Sequence, residues 1–355
     1  MITFGSLRGE SIGHLILNTV RFFSEKKYFF LIIITNPNKI CNKLIYNLLK
    51  KNYSNYRTVF IESVYLSFCV ELLYKMQKKI QVFSFFYSNI RWIHHVNPRL
   101  EFGSPYRFYD NFINKNKIHI NMDNDFSKLF NLWKKKNKVK KKFVCIFSRD
   151  SKFHKERFTN PRNFSFSTYE KTIRRLIKLD FTVIRMGRDI GDKFFLRDPN
   201  FLIFDDLISK YEKYYVEILE LMLFSKCKFI IGSSSGIHSY ALLFDKLFFM
   251  VNHFPAGRVP YFKNCFYICK KYQKNNKIIK YSRLDKSILL SEENNVLKKR
   301  GYRIINNSKD EIYEFIMAGL IKRRGVDLSN KNFIVEGKGG LCDYNWYKKN
   351  IKLFL

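Results

Sequence analysis

Short runs of β-branched and aromatic residues alternate along the chain with longer stretches whose apolar positions recur at helical spacing. That alternation is the pattern of βαβ units around a parallel sheet, so the predicted class is α/β. In the first part it predicts strands near Phe29–Thr35, Thr58–Ile61 and Gln81–Phe85, with helices near Ile12–Phe23, Lys39–Lys51 and Val64–Lys78. The second part is more regular. Strands are predicted at Phe143–Ser148, Phe181–Met186, Lys228–Ile231 and Leu247–Val251, and helices at Ser167–Leu179, Tyr211–Ser225 and Ser235–Phe244, which together make a doubly wound unit. Between the two parts runs the basic segment Trp133-Lys-Lys-Lys-Asn-Lys-Val-Lys-Lys-Lys142, read as a solvated helix end and linker, with a specific polyanion site as the alternative. The expected domains are residues 1–140, residues 141–325 and a tail, 326–355, to which no role is assigned.

Composition narrows the class of partner without fixing it. With 355 residues, 46% hydrophobic and 17% aromatic, and only 15 Gly and 7 Pro, the chain has material for two cores and is neither collagen-like nor disordered. Lys and Arg number 65 against 30 acidic residues, a net charge of +35, which suits nucleic acid, anionic lipid or phosphorylated small molecules. The excess is mostly Lys and accompanies abundant Asn, Ile, Phe and Tyr, so compositional drift accounts for it equally well. Seven Cys and an N-terminus without the pattern of a secretory leader fit free thiols in a reducing compartment, hence a cytoplasmic protein. Tyr28–Thr35, the longest apolar run, is far short of the ~20 residues that span a bilayer and reads as a buried strand. Cys265 and Cys269 lack a second ligand pair, and Asp123-Asn-Asp125 sits in a polar stretch, so no metal site is expected.

The strongest local signal is Phe229-Ile-Ile-Gly-Ser-Ser-Ser-Gly-Ile-His238, an apolar strand entering Gly, three Ser and Gly before an apolar helix. Gly232 and Gly236 would let a ligand approach the backbone, and Ser233, Ser234 and Ser235 offer hydroxyls and a cap beside free amides, a cradle for a diphosphate. An ordinary capped turn is the alternative, since neither GxxxxGK[ST] nor GxGxxG is matched. Neighbouring strand ends carry Ser148-Arg149-Asp150 and Arg185-Met186-Gly187-Arg188. Arg149 and Arg185 suit bidentate contact with phosphate oxygens, Gly187 leaves room, and pairing with Asp150, Asp205 or Asp206 is the competing role for either Arg. In the first part, Gly9-Glu-Ser-Ile-Gly-His14 opens another helix. Gly13 lies in that turn, and His14 is a candidate general base or phosphate contact facing the interdomain cleft. His238, two residues into its helix, joins the binding candidates, whereas His94-His95 has no ligand spacing.

Taken in order, these segments resemble a bacterial family of glycosyltransferases from surface-polysaccharide (lipopolysaccharide and O-antigen) clusters, distantly similar to fucosyltransferases and heptosyltransferases of GT-B architecture. The resemblance rests on Gly5-Ser-Leu-Arg-Gly-Glu-Ser-Ile-Gly-His-Leu-Ile-Leu-Asn18, Arg149-Asp-Ser151, Arg162-Asn163, Val183-Ile-Arg-Met-Gly187 and Cys227–Gly236. Asn252 with Pro255, Leu290-Ser-Glu292 and Asn307–Ile312 extend it to about residue 320. It departs at Phe147, where the family carries a histidine-like position, and at Gly337–Trp346, which has no counterpart.

The resemblance implies two Rossmann-like domains facing across a cleft, the C-terminal one holding a nucleotide sugar and the N-terminal one a saccharide or lipid-linked acceptor. Arg149 and the Ser233–Gly236 helix start would neutralise the departing diphosphate without a metal or other cofactor. His14, or alternatively Asp150, would take the acceptor's proton, with inversion following by family analogy, while Asn252 would contact substrate. Basic residues could hold the protein against the anionic inner face of the membrane. Two other functions compete: a basic nucleic-acid-binding protein, although no nucleic-acid module is visible, and a catalytically inactive GT-B scaffold.

Overall fold

The computed structural model describes residues 2–7, 9–17, 30–54, 58–79, 90–93, 120, 122–149, 152, 160–188, 190–192, 194–260, 263–335 and 339–355. The chain divides into two compact units, residues 1–126 with 213–221, and residues 127–212 with 222–355. Both are α/β units built on largely parallel sheets.

In the first unit four parallel strands, β1 (Ile2–Leu7), β2 (Phe30–Thr35), β3 (Thr58–Glu62) and β4 (Ile90–Ile93), lie in the order β3-β2-β1-β4. Ile2 pairs with Phe30 on one side and Ile90 on the other. Neither β1 nor β4 was expected, since Ile-Thr-Phe-Gly-Ser-Leu mixes Gly and Ser into its apolar positions and Ile-Arg-Trp-Ile is only four residues long. The expected strand Gln81–Phe85 lies outside the described residues, as does the expected first helix beyond residue 17. That helix covers residues 12–17 and is started by Ser11, whose Oγ accepts from the His14 amide at 3.4 Å. The next helix runs Lys43–Tyr53 rather than from Lys39, because Pro37–Lys39 forms a separate 3-10 turn. Asn42 Oδ1 accepts from the Ile45 amide at 2.8 Å and the buried Glu217 Oε2 from the Leu44 amide at 3.0 Å, satisfying two of the amides a helix start leaves unpaired.

The second unit contains β5 (Phe143–Ile146), β6 (Thr182–Arg185), β7 (Phe201–Ile203), β8 (Ile230–Gly232), β9 (Phe248–His253) and β10 (Cys265–Cys269). These are followed by β11 (Lys271–Lys274), β12 (Lys277–Ile279), β13 (Arg303–Ile305), β14 (Gly325–Val326) and β15 (Leu341–Asp343). Among the described residues, eight of them form one sheet in the order β14-β15-β10-β9-β8-β5-β6-β7, parallel except for the edge strand β14. Strands β12-β11-β13 form a small antiparallel sheet. Every residue of β5, β6, β8 and β9 is buried, which is why each is written as a nearly unbroken apolar run.

Helices Glu170–Lys178 and Lys309–Ile321 cover this sheet. The first buries Thr172, Ile173 and Leu176 while Arg174 and Lys178 face water. The second starts from a complete Ser308/Glu311 capping box, and at Gly319 a Cβ would come within 2.3 Å of the Phe249 ring, so that position admits only hydrogen. The basic segment begins in the last turn of helix Asn124–Lys136, whose Phe130 and Trp133 are buried and stacked while Lys134–Lys136 lie where cations suit the unpaired carbonyls. Asp125 sits in its first turn, the place where a carboxylate suits a helix. Residues beyond 326 are integrated: β15 pairs with β10, and Trp346 and Phe354 are buried and in contact.

Candidate functional site

In open parallel sheets the loops beyond the carboxyl ends of the strands form the ligand side. Strands β5 and β8 are neighbours: Ile146 lies opposite Ile231, and the Phe147 amide donates to the Ile231 carbonyl at 3.0 Å. Arg149 and the Ser233–Gly236 turn therefore leave the sheet from adjacent strands, and Arg149 is half-buried.

The turn differs in detail from the expected cradle. Gly232 is reserved for a protein side chain: a Cβ there would fall 2.2 Å from the Phe147 ring, so close approach is used by Phe147 rather than by a ligand. The Ser233 hydroxyl is sealed inside at 0% exposure with no hydrogen-bond partner. Residues 234–238 remain half-buried. Ser235 stands at the cap position but makes no capping bond, and Gly236 uses its carbonyl to accept from the Ser239 hydroxyl at 2.8 Å. In place of one helix Ser235–Phe244 there is a 3-10 turn, Gly236–His238, followed by the five-residue helix Ser239–Leu243. So short a helix has little macrodipole, and positive charge at this edge must come from side chains.

Ser234 belongs to a network with His253. The His253 Nε2 lies 2.6 Å from the Arg258 carbonyl, which can only accept, so Nε2 carries the proton. Nδ1 is then the acceptor and takes the Ser234 hydroxyl at 3.2 Å, that oxygen in turn accepting from the Phe254 amide at 3.5 Å, while Met250 Sδ, 3.0 Å from Nδ1, has no proton to give and makes only a contact. Burial pushes the His253 pKa down to about 4, partly offset by the bond to the Arg258 carbonyl, so the ring is neutral near pH 7. His238 stacks on Phe248 with its Nδ1 out of solvent. Its pKa is also about 4, lowered first by burial and then by His253 and Arg162.

The remaining predicted residues are scattered in role. Arg185 ends β6 at 2% exposure with its guanidinium 4.0 Å from the Phe166 ring centre, so it faces the interior as a buried cation over an aromatic ring rather than a ligand. Gly187 has φ +134°, a conformation that requires glycine, and no crowding forces its lack of a side chain. Asn252 (φ +51°, 0% exposed) is clasped by Asn307: each backbone amide donates to the other's Oδ1 at 2.7 Å, while the Asn252 Nδ2 is buried without a hydrogen-bond partner. Gly13 is buried in the helix of residues 12–17 and His14 is exposed on it, in the first unit. Asp150 and His94-His95 lie outside the described residues.

Four groups at this edge, Arg162, Arg258, Lys270 and Glu292, were not among the site residues expected from the sequence, although Arg162 and Glu292 lie in segments that carry the family resemblance. Glu292 is paired with Arg258 Nη1 through Oε1 and lies 3.2 Å from Arg162 Nη1 through Oε2. Lys270, 1% exposed, donates to the Pro161 carbonyl at 2.7 Å and the Asn163 carbonyl at 3.0 Å, and burial lowers its pKa to about 7. A lone Lys directly after the apolar strand β10 was the available signal for Lys270, whereas nothing in the sequence pairs 162, 258 and 292. Among the described residues no three His, Cys, Asp or Glu could hold a metal ion, and no helix is long and apolar enough to cross a membrane.

No protein-family model and no curated protein sequence matches the chain. Solved structures similar to it include a glycosyl transferase family 9 protein from Veillonella parvula, at 9% identity and TM-score 0.44 over 75% of this chain and 85% of that one. The E. coli ADP-heptose lps heptosyltransferase II is similar at 9% identity and TM-score 0.42, covering 76% and 90%. The S. aureus MnaA–UDP co-structure is similar at 11% identity and TM-score 0.34, covering 90% and 88%. At such scores the assignment of function rests on the residues themselves.

Proposed function

We propose that the protein is a glycosyltransferase of GT-B type that moves a sugar from a nucleotide-sugar donor to a saccharide or lipid-linked acceptor in surface-polysaccharide synthesis. The second unit holds the donor, with its diphosphate over the half-buried residues 234–238 and beside Arg149. The guanidinium opposes the negative charge that develops as the diphosphate leaves, a preorganised electrostatic contribution. His14 takes the proton of the attacking acceptor hydroxyl. The one observation that carries this reading is the emergence of Arg149 and the serine turn from the adjacent strands β5 and β8.

Saturation-transfer NMR against uridine, guanosine and deoxythymidine diphosphates and their sugars tests it directly. Binding of one nucleotide class is expected, with an affinity loss of about tenfold or more in Arg149→Ala, the cost of one charge-assisted phosphate contact. No binding across the panel would remove the transferase reading. Full donor affinity and turnover in Arg149→Ala would remove the site assignment.

A further inference from the structure

Three segments that share no secondary-structure element bring Arg162, Arg258 and Glu292 together. The two arginines stand on tightly held backbone. Lys270 Nζ donates to the carbonyls on both sides of Arg162, and the Arg162 amide donates to Asn160 Oδ1 at 3.0 Å. The Arg258 carbonyl accepts from buried His253, and its neighbour Gly257 exchanges backbone bonds with Leu289 at 3.0 Å and Val335 at 2.8 Å. Glu292 lies between the helices Lys286–Leu290 and Asn294–Lys299, and its carboxylate spans the two guanidiniums. All three side chains stay partly open to solvent, at 24%, 27% and 34%.

Glu292 faces two permanent cations, with the Lys270 amine behind them, and the neighbouring His238 and His253 rings are neutral near pH 7 and add hydrogen-bonding capacity without charge. Two guanidiniums set around one carboxylate can also donate to the oxygens of a diphosphate, which carries more negative charge and more acceptors than Glu292 does. The cluster borders the serine turn through Ser234, His253 and the Arg258 carbonyl, and Arg162 is close enough to His238 to depress its protonation.

We propose that Arg162 and Arg258 are a two-arginine clamp for the diphosphate of a nucleotide, and that Glu292 is its resident counter-ion, displaced when the ligand binds. The nucleotide rests on the reading given under Proposed function, whereas the diphosphate clamp rests on the triad alone. Such an arrangement keeps the arginines oriented in the empty site and sets a threshold: an anion must outcompete the carboxylate, so a monoanion binds poorly.

Calorimetric titration with inorganic pyrophosphate and with uridine, guanosine and deoxythymidine diphosphates separates the two claims. Glu292→Gln is expected to tighten pyrophosphate about tenfold, and Arg258→Ala or Arg162→Ala to weaken it by about tenfold or more. The opposite signs are diagnostic, since a carboxylate that only holds the loops together would weaken binding when neutralised. Unchanged or weaker pyrophosphate binding in Glu292→Gln overturns the clamp. So does arginine-independent binding or a wild-type protein that binds no pyrophosphate. If a variant loses its native near-ultraviolet circular dichroism, Glu292→Asp and Arg258→Lys carry the same expected signs in smaller measure. Pyrophosphate bound with these dependences while no nucleoside diphosphate binds would keep the clamp and overturn the donor reading.

Discussion

Two turns of the molecule are written almost alike and are used in opposite ways. Gly9-Glu-Ser-Ile-Gly-His14 follows β1, and Gly232-Ser-Ser-Ser-Gly-Ile-His238 runs on from the last residue of β8. In the first, Gly9 fits against the backbone at Lys39 and Ile40, its carbonyl accepts from the Cys41 amide at 2.8 Å, and His14 remains exposed. In the second, Gly232 gives way to the Phe147 ring, Ser233 is sealed in, and the His238 ring lies on Phe248. The same vocabulary of Gly, Ser and His thus produces one exposed titratable ring and one neutral, packed ring. What separates them is the aromatic and arginine surroundings of the second turn.

The largest expected effect probes the exposed histidine. His14→Gln should lower turnover about a hundredfold or more, the usual worth of a general base, while donor affinity stays as it was. Equal losses of donor affinity and turnover in His14→Gln would put the two histidines in one class and break the contrast.

Acid titration of stability comes next. His253 and His238 have pKa values held at about 4 by burial, against ~6.5 in an unfolded chain. Below about pH 6.5 the unfolded chain therefore binds protons that the native one refuses, so stability present above that pH is lost as pH falls towards 4. For His253, at 5% exposure, the loss amounts to about 3 kcal/mol, and urea unfolding of His253→Gln should show a shallower decline between those limits than the wild type. An identical slope would mean that the ring is not held neutral.

The two glycines sharpen the comparison at lower cost. Gly232→Ala drives a methyl into Phe147 and should destabilise by about 2 to 3 kcal/mol, with much of the loss recovered when Phe147→Leu is added. In Gly9→Ala the new carbon would meet the Ile40 Cα at 3.1 Å and the Lys39 carbonyl at 3.2 Å, so a smaller loss of about 1 kcal/mol is expected. A Gly232→Ala penalty that Phe147→Leu leaves untouched would show that the backbone, not the ring, demands glycine.

The middle of the second unit's sheet could be read from the chain because strands β5, β6, β8 and β9 are buried throughout. Phe143–Ile146, Thr182–Arg185 and Phe248–His253 are nearly uninterrupted apolar runs between helices of clear period. The strands missed were Ile2–Leu7 and Ile90–Ile93 in the first unit, and in the second Phe201–Ile203 and every strand after β9, among them the apolar and largely buried Cys265–Cys269. The short and polar ones take their conformation from a neighbour's hydrogen bonds more than from their own pattern.

The candidate site divides along the same line. Residues one turn from a strand end, such as Arg149 and Ser234, follow from local order, because a parallel sheet puts every such end on one side. The sequence alone determined that much: an α/β chain, its central strands, and the edge at which Arg149 and the serine turn emerge. The tertiary structure decided which way those side chains point. It turned Arg185 onto Phe166, filled Gly232 with Phe147, directed the Ser234 hydroxyl to His253, and assembled Arg162, Arg258 and Glu292 from positions as much as 130 residues apart. Side-chain direction and long-range pairing depend on packing among distant segments, and no local pattern encodes that.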